Sequence, residues 1–183
     1  MSFILLGILN AQAAGAGGGA DFELIERKTI TSSTSSINFT SLDSVAADYK
    51  YLQMRWVAQT AVQAGQMRLT FNGSSSGYHT QTVYGDPNNE LASYASGSYI
   101  SLDNAASSNG DTVWTASGIF EFFDWADTSK TASIRGYYGQ SASTDRMYHF
   151  AGLWDNTAAV TSFGITANQN YTYGQFALYG IRG

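Results

Sequence analysis

Residues 51–59 read YLQMRWVAQ, and this stretch decides the fold class because its apolar side chains recur at every second position. Neighbouring side chains of an extended strand point to opposite faces of its sheet, so a period of two predicts a strand with one buried face. The polar side chains of Gln53 and Arg55 occupy the other face. The apolar set on the first face is Leu52, Met54, Trp56 and Ala58.

The same alternation recurs elsewhere in the chain. It is found at residues 66–73 (QMRLTFNG) and 147–154 (MYHFAGLW), and residues 162–167 (SFGITA) and 174–183 (GQFALYGIRG) predict two further strands. Within residues 147–154, the side chains of Tyr148, Phe150 and Trp154 share one face, and those of Met147, His149 and Leu153 share the other. Shared parity predicts that six side chains enter one core. They are Leu52, Met54, Trp56, Met67, Leu69 and Phe71.

Short turn sequences separate the alternating stretches. They include Asn72-Gly73, residues 85–88 (GDPN) and residues 168–170 (NQN), whose residue types favour turns. Only residues 41–49 (SLDSVAADY) have a pattern that allows one or two helical turns. About ten short strands with so little helix predict an all-β fold, an antiparallel β-sandwich of jelly-roll-like topology. We assign residues 21–183 to this domain.

Composition restricts the classes of function. Charged residues make up 13% of the 183 residues, against roughly 25% in average domains, which is typical of secreted, virion and sugar-binding surfaces. The net charge is −5 and no basic run is longer than Arg27-Lys28, so we expect no nucleic-acid partner. The chain has no cysteine for disulfides or thiolate metal sites. No stretch approaches the roughly 20 apolar residues of a membrane span, so we expect no membrane insertion.

Residue patterns typical of catalysis are missing. His79 and His149 are far apart in sequence, neither has a second ligand at His-x-x-x-His spacing, and no Gly-x-Ser-x-Gly motif frames a serine. Glu121, Asp124 and Asp127 lie beside aromatic residues, as a glycosidase would require. Glu121 and Asp124, however, have opposite parity on a strand. We therefore expect no enzyme, no cofactor and no bound metal, with a secreted carbohydrate-active enzyme as an alternative.

Tyrosines form a candidate recognition surface. Exposed aromatic rings stack on sugars, and tyrosine is also enriched at protein interfaces. We favour a protein interface over a host glycan. The candidates are Tyr94, Tyr99, Tyr137, Tyr138, Tyr171 and Tyr173.

Residues 1–20 combine a short apolar segment with a glycine-rich one. The apolar residues are Phe3, Ile4, Leu5, Leu6, Ile8 and Leu9, and the glycines are Gly15, Gly17, Gly18 and Gly19. A signal peptide is disfavoured because no lysine or arginine precedes the apolar residues and Gly7 interrupts them. A first strand of the domain's own sheet is a second interpretation, but it does not need a flexible tether.

We favour a third interpretation, in which residues 3–9 are an arm that docks on a partner and the glycines are its hinge. Burying six apolar side chains at about 1.5–3 kcal/mol each would contribute roughly 9–18 kcal/mol before ordering costs. The low-charge, tyrosine-rich surface further predicts a homotrimer whose strand edges are covered by neighbouring copies.

Several stretches, in this order, resemble small structural proteins of tailed bacteriophages, especially phages of aquatic bacteria. They are ILLGILNAQAAG, FELIERKTITSSTSSINFTSL, ADYKYLQMRW, LTFNG, WDNTAAVTSFGIT and FALYGIRG. The resemblance implies a non-enzymatic virion protein whose partners are other capsid or tail proteins. We expect a capsid decoration or cement protein, because the chain is one module plus an arm without a fibre shaft. A tail fibre or adhesin domain that binds host glycans is the alternative.

Overall fold

The computed structural model describes residues 21–61, 66–86, 90–102, 115–140 and 146–183. Residues 1–20 lie outside the described residues. The arm of residues 3–9 and its glycine hinge therefore stay predictions.

Within the described ranges the chain forms β-strands and one short 3-10 helix, Leu42–Val45. That helix lies in the stretch where the sequence allows helical turns. The strands are β1 (Phe22–Thr29), β2 (Thr34–Phe39), β3 (Tyr51–Thr60), β4 (Met67–Phe71), β5 (Tyr78–Gly85), β6 (Glu90–Gly97), β7 (Ile100–Leu102), β8 (Ala116–Phe123), β9 (Ser133–Gln140), β10 (Arg146–Trp154) and β11 (Phe163–Ile181).

Strand β11 joins two layers because its 19 residues pair with different strands along its length. Residues 163–167 lie between β2 and β4, and residues 175–181 lie between β1 and β3, in antiparallel register throughout. The large layer therefore has the order β1-β11-β3-β8-β9-β10-β5-β6, and the small layer has the order β2-β11-β4-β7.

The two layers also approach each other at β7. The Ser101 backbone N–H donates a hydrogen bond of 3.2 Å to Oγ1 of Thr80, which joins β7 to β5. One continuous antiparallel sheet thus curls into a nearly barrel-like shape. The prediction of an all-β antiparallel fold is confirmed.

Aromatic side chains of the two layers pack against each other in the core. Phe163 of the small layer lies between Phe39, at a ring distance of 4.8 Å, and Phe122 of the large layer, at 4.9 Å. Phe71 similarly contacts Trp154 at 5.8 Å. The six side chains predicted to enter one core are all at most 5% exposed, which confirms their inward parity.

Strand β11 corrects one prediction. The sequence suggests two strands separated by a turn at residues 168–170, but the structure has a single strand in which these residues form an exposed irregularity. Their backbone groups keep partners across the sheet, because the N–H of Ala61 donates to the carbonyl of Asn170 at 2.9 Å. By contrast, the predicted turn at Asn72-Gly73 is confirmed, with positive φ angles of 50° and 67°.

Candidate functional site

The outward-facing surface of the large layer is the main accessible feature of the described residues. We call it the outer face and define it by the outward side chains of four adjacent strands, β8, β9, β10 and β5. These side chains are Ile119, Glu121, Arg135, Tyr137, Met147, His149, Ala151, Gln81 and Val83. They share the face because strand pairing aligns residues of the same parity.

A groove of about 500 Å³ crosses the outer face. Ile119, Val83 and Ala151 supply apolar walls, and Tyr137 and His149 supply rings. A cavity of this size is within the range of small-molecule and peptide side-chain sites. The groove is therefore large enough to accept either an apolar protein segment or a short saccharide.

Large apolar side chains on this face are open to contact. Val83 is 58% exposed, Met147 is 69% exposed and Tyr137 is 50% exposed. Single exposed apolar residues are ordinary, but several on adjacent strands of one face are typical of an interaction surface.

The charges at the groove neutralise each other. Nε of Arg135 lies 2.8 Å from Oε2 of Glu121, and the Arg135 guanidinium lies 4.8 Å from the Phe123 ring centre. Nε2 of Gln53 also donates a hydrogen bond of 3.5 Å to Oε1 of Glu121. The groove therefore offers hydrogen-bonding groups without a net charge from this pair.

The large layer also brings the two histidines onto one surface. Nδ1 of His79 lies 2.8 Å from the hydroxyl oxygen of Tyr94, and the His149 ring lies 5.9 Å from that of Tyr137. Their distance in sequence concealed this, since only the antiparallel pairing of β5 with β10 places them on the same face. Each histidine is thus paired with a tyrosine that the sequence singled out.

Strand β6 borders this surface and is unusually open. All eight of its residues, Glu90–Gly97, are exposed, so neither of its faces is covered by described residues. Leu91 is 51% exposed and Tyr94 is 61% exposed.

The six candidate tyrosines do not form one surface. Tyr137 lies on the outer face and Tyr94 lies beside it on β6, whereas Tyr173 is 54% exposed on β11, which is not one of the strands of the outer face. Tyr99 is half-buried beneath the Arg68 guanidinium, 4.6 Å from its ring centre.

Two of these tyrosines contradict the surface prediction. Tyr138 is 2% exposed and stacks on Tyr148 at 4.5 Å, because its parity on β9 directs it inward. Tyr171 is 0% exposed, and burial raises the pKa of its hydroxyl above the ordinary value. The prediction that Tyr138 and Tyr171 belong to an accessible surface is wrong, since both belong to the core.

The acidic residues that follow β8 form ion pairs with Lys130. Nζ of Lys130 lies 3.2 Å from carboxylate oxygens of both Asp124 and Asp127. The hydroxyl and backbone N–H of Ser129, followed by Lys130, lower the pKa of Asp127 to about 2. A general acid of a glycosidase needs the opposite shift, towards a higher pKa.

Two other kinds of site are absent from the described parts of the chain. These parts contain no group of three or more His, Cys, Asp or Glu side chains that could hold a metal ion. They also contain no helix long and apolar enough to span a membrane. In comparisons with known proteins, no family model, no curated protein and no solved structure matches the chain.

Proposed function

We propose that this chain is a non-enzymatic structural protein of a tailed-phage virion, most economically a capsid decoration or cement protein. The resemblance of its ordered sequence stretches to phage structural proteins supports the virion setting. Copies associate as a homotrimer and dock on other virion proteins. No cofactor or catalytic residue is part of this proposal.

The observation that carries the proposal is the exposed apolar surface of the outer face. Val83, Met147 and Tyr137 present apolar area, and the ion pair of Glu121 with Arg135 leaves the groove without unpaired charge. Such a surface suits another protein of the particle that presents an uncharged apolar patch, because burying it would leave no charge without a partner.

The positions of the lysine and arginine side chains support the same proposal. Seven of the nine lysine and arginine side chains lie over an aromatic ring, at 4.6–5.4 Å from the ring centre. Cations used in this way cover apolar surface with their own stems and do not form a basic patch. A capsid protein of this kind would contact protein and not the packaged nucleic acid.

Labelling of particles tests the virion setting. An antibody against the protein should label purified particles of the encoding phage in a regular array over the capsid. Label confined to the tail would favour the fibre alternative, and unlabelled particles from infected cells that contain the protein would overturn the proposal.

Charged substitutions test the outer face. Val83→Glu with Met147→Glu should reduce the protein's occupancy on particles at least tenfold, because carboxylates would be buried without partners. Tyr173→Glu, at a site with similar exposure on β11, is the matched control and should leave occupancy unchanged.

The groove favours a second candidate function, a tail fibre or adhesin domain that binds host glycans. Tyr137 and His149 offer ring faces, and Gln81, Glu121 and Arg135 offer hydrogen-bonding groups around the same groove. A glycan array should then give a signal that Tyr137→Ala removes and Tyr173→Ala keeps. Absence of binding by the unmodified protein would leave the decoration role as the better proposal.

The carbohydrate-active enzyme is the least supported alternative, because the candidate carboxylates pair with Arg135 and Lys130. A screen against polysaccharides and peptidoglycan should show no turnover. Hydrolysis that Glu121→Gln or Asp124→Asn abolishes would reverse this conclusion.

A further inference from the structure

Strand β6 ends the large layer, and its outer backbone edge has no strand partner among the described residues. Its whole length pairs with β5, from Gly85 opposite Glu90 to Tyr78 opposite Gly97. The backbone N–H and C=O groups that point away from β5 therefore form a row that can accept another strand.

The sequence of β6 lacks the usual protection of such an edge. Apart from Glu90 at its first position, β6 contains no charged residue and no proline, and residues 91–97 read LASYASG. Proteins commonly protect free edges with lysine, proline, a bulge or a covering segment. The edge of β6 therefore has the chemistry of a pairing site, with Leu91 and Tyr94 exposed beside it.

We propose that residues 3–9 of one copy add as a strand to the free edge of β6 in a second copy. This deepens the proposed function, on which it rests, by naming the site that the arm occupies within the homotrimer. Residues 3–9 read FILLGIL and are uncharged, as residues 91–97 are. The seven residues 3–9 are nearly as long a segment as the eight-residue strand β6. When a segment adds as a strand to a sheet edge, main-chain hydrogen bonds supply the affinity.

The point at which the tether joins the domain favours a second copy over the arm's own strand β6. Strands β1 and β6 are the two opposite edges of the large layer, and the tether precedes β1 in the sequence. An arm that follows the layer to its own β6 would pass seven strand spacings, about 34 Å at roughly 4.8 Å each, whereas a neighbouring copy can present its β6 edge directly beside β1. The layer curls, so the straight-line separation is shorter, and crosslinking within one chain is the outcome that would reveal docking on the chain's own β6.

This contact is head-to-tail, because an arm meets a strand edge and not another arm. Head-to-tail contacts close into rings when the rotation between copies allows it. Three copies that each donate one arm and accept one arm form a closed trimer, and the closed ring covers all three β6 edges.

Disulfide trapping tests the proposal directly because the chain has no cysteine of its own. The Leu6→Cys/Ser93→Cys double variant, oxidised as isolated full-length protein, should give covalent oligomers up to a trimer on a denaturing gel. Leu6→Cys/Tyr173→Cys is the matched control, since Tyr173 is exposed on β11, and should give at least tenfold less of these products. Far-UV circular dichroism checks that both variants keep the strand signal.

Three outcomes would overturn the proposal. They are crosslinking within one chain only, no crosslinking in a folded double variant, and equal crosslinking in the control. Sedimentation adds an independent measurement, because deletion of residues 1–14 should convert a trimer into a monomer, and a truncated protein that stays trimeric would also contradict it. Particle labelling separates this inference from the proposed function, since a protein can decorate particles without arm exchange and can exchange arms without decorating particles.

Discussion

At the scale of single residues, Trp56 is a large core side chain that contacts several strands. Its ring lies 5.5 Å from Phe120 and 6.2 Å from both Tyr138 and Phe176, so it joins β3 to three other strands. We expect Trp56→Ala to lower the free energy of unfolding by about 3–5 kcal/mol, because a large cavity remains. Urea denaturation measures this change in the free energy of unfolding. The exposed control Tyr173→Ala should change it by less than about 0.5 kcal/mol, and a similarly small effect for Trp56→Ala would contradict this account of the core.

A second prediction at this scale concerns the pKa of Asp127. Ser129 contributes most to holding this pKa at about 2, below the ordinary 3.8, and Lys130 contributes less. Ser129→Ala removes the largest single contribution, the hydroxyl hydrogen bond, and should therefore raise the pKa, as an NMR titration of the carboxyl group would show. Because the folded pKa is depressed, its stabilising effect is present above pH 3.8 and is lost as the pH falls through about 2. An unchanged pKa in Ser129→Ala would mean that the backbone N–H of Ser129 and the ion pair with Lys130 dominate.

At the scale of elements, β11 passes from the small layer to the large layer between residues 167 and 175, and this bend contains Gly174. Its φ of +154° disfavours other residues, and a Cβ there would lie 2.6 Å from the carbonyl oxygen of Val57. Gly174→Ala should lower the free energy of unfolding by about 1–3 kcal/mol, measured by urea denaturation. Gly139→Ala is the matched control, because its nearest neighbour to an added Cβ is 3.7 Å away, and it should be nearly neutral. Equal effects would show that the bend tolerates a side chain.

Elements are also the scale at which sequence analysis succeeds and fails. Alternation identified β3, β4 and β10 correctly, because burial on one face imposes a period of two. It failed at residues 168–170, where turn-forming residues sit within a continuous strand that both neighbouring strands hold in place. The inward direction of Tyr171 was missed because it follows this irregularity, across which parity cannot be counted. The outer face was not predicted as a site, because it depends on strand order between residues far apart in sequence.

At the scale of the whole molecule, the described residues close a core among themselves. Phe39, Phe163 and Phe122 close it from both layers, and β1 begins at Phe22 with Phe22 stacked on Tyr179 at 4.6 Å. Deletion of residues 1–14 should therefore leave the melting temperature within about 2 °C of the full chain at protein concentrations where both are monomeric. A loss of the folded state would instead make residues 3–9 a strand of the domain's own sheet.

Assembly is the property that residues 1–20 should control. Leu6→Asp with Ile8→Asp should lower occupancy on particles at least tenfold, because a docked arm would bury two carboxylates without partners. The isolated variant should keep the far-UV spectrum of the unmodified protein, since neither residue belongs to the described core. Leu6→Val with Ile8→Val is the control, because it keeps an apolar strand and should decorate particles normally. Normal occupancy of the aspartate variant would show that decoration does not need a docked arm, and the outer face around Val83 and Met147 would then be the surface that holds the protein on the particle.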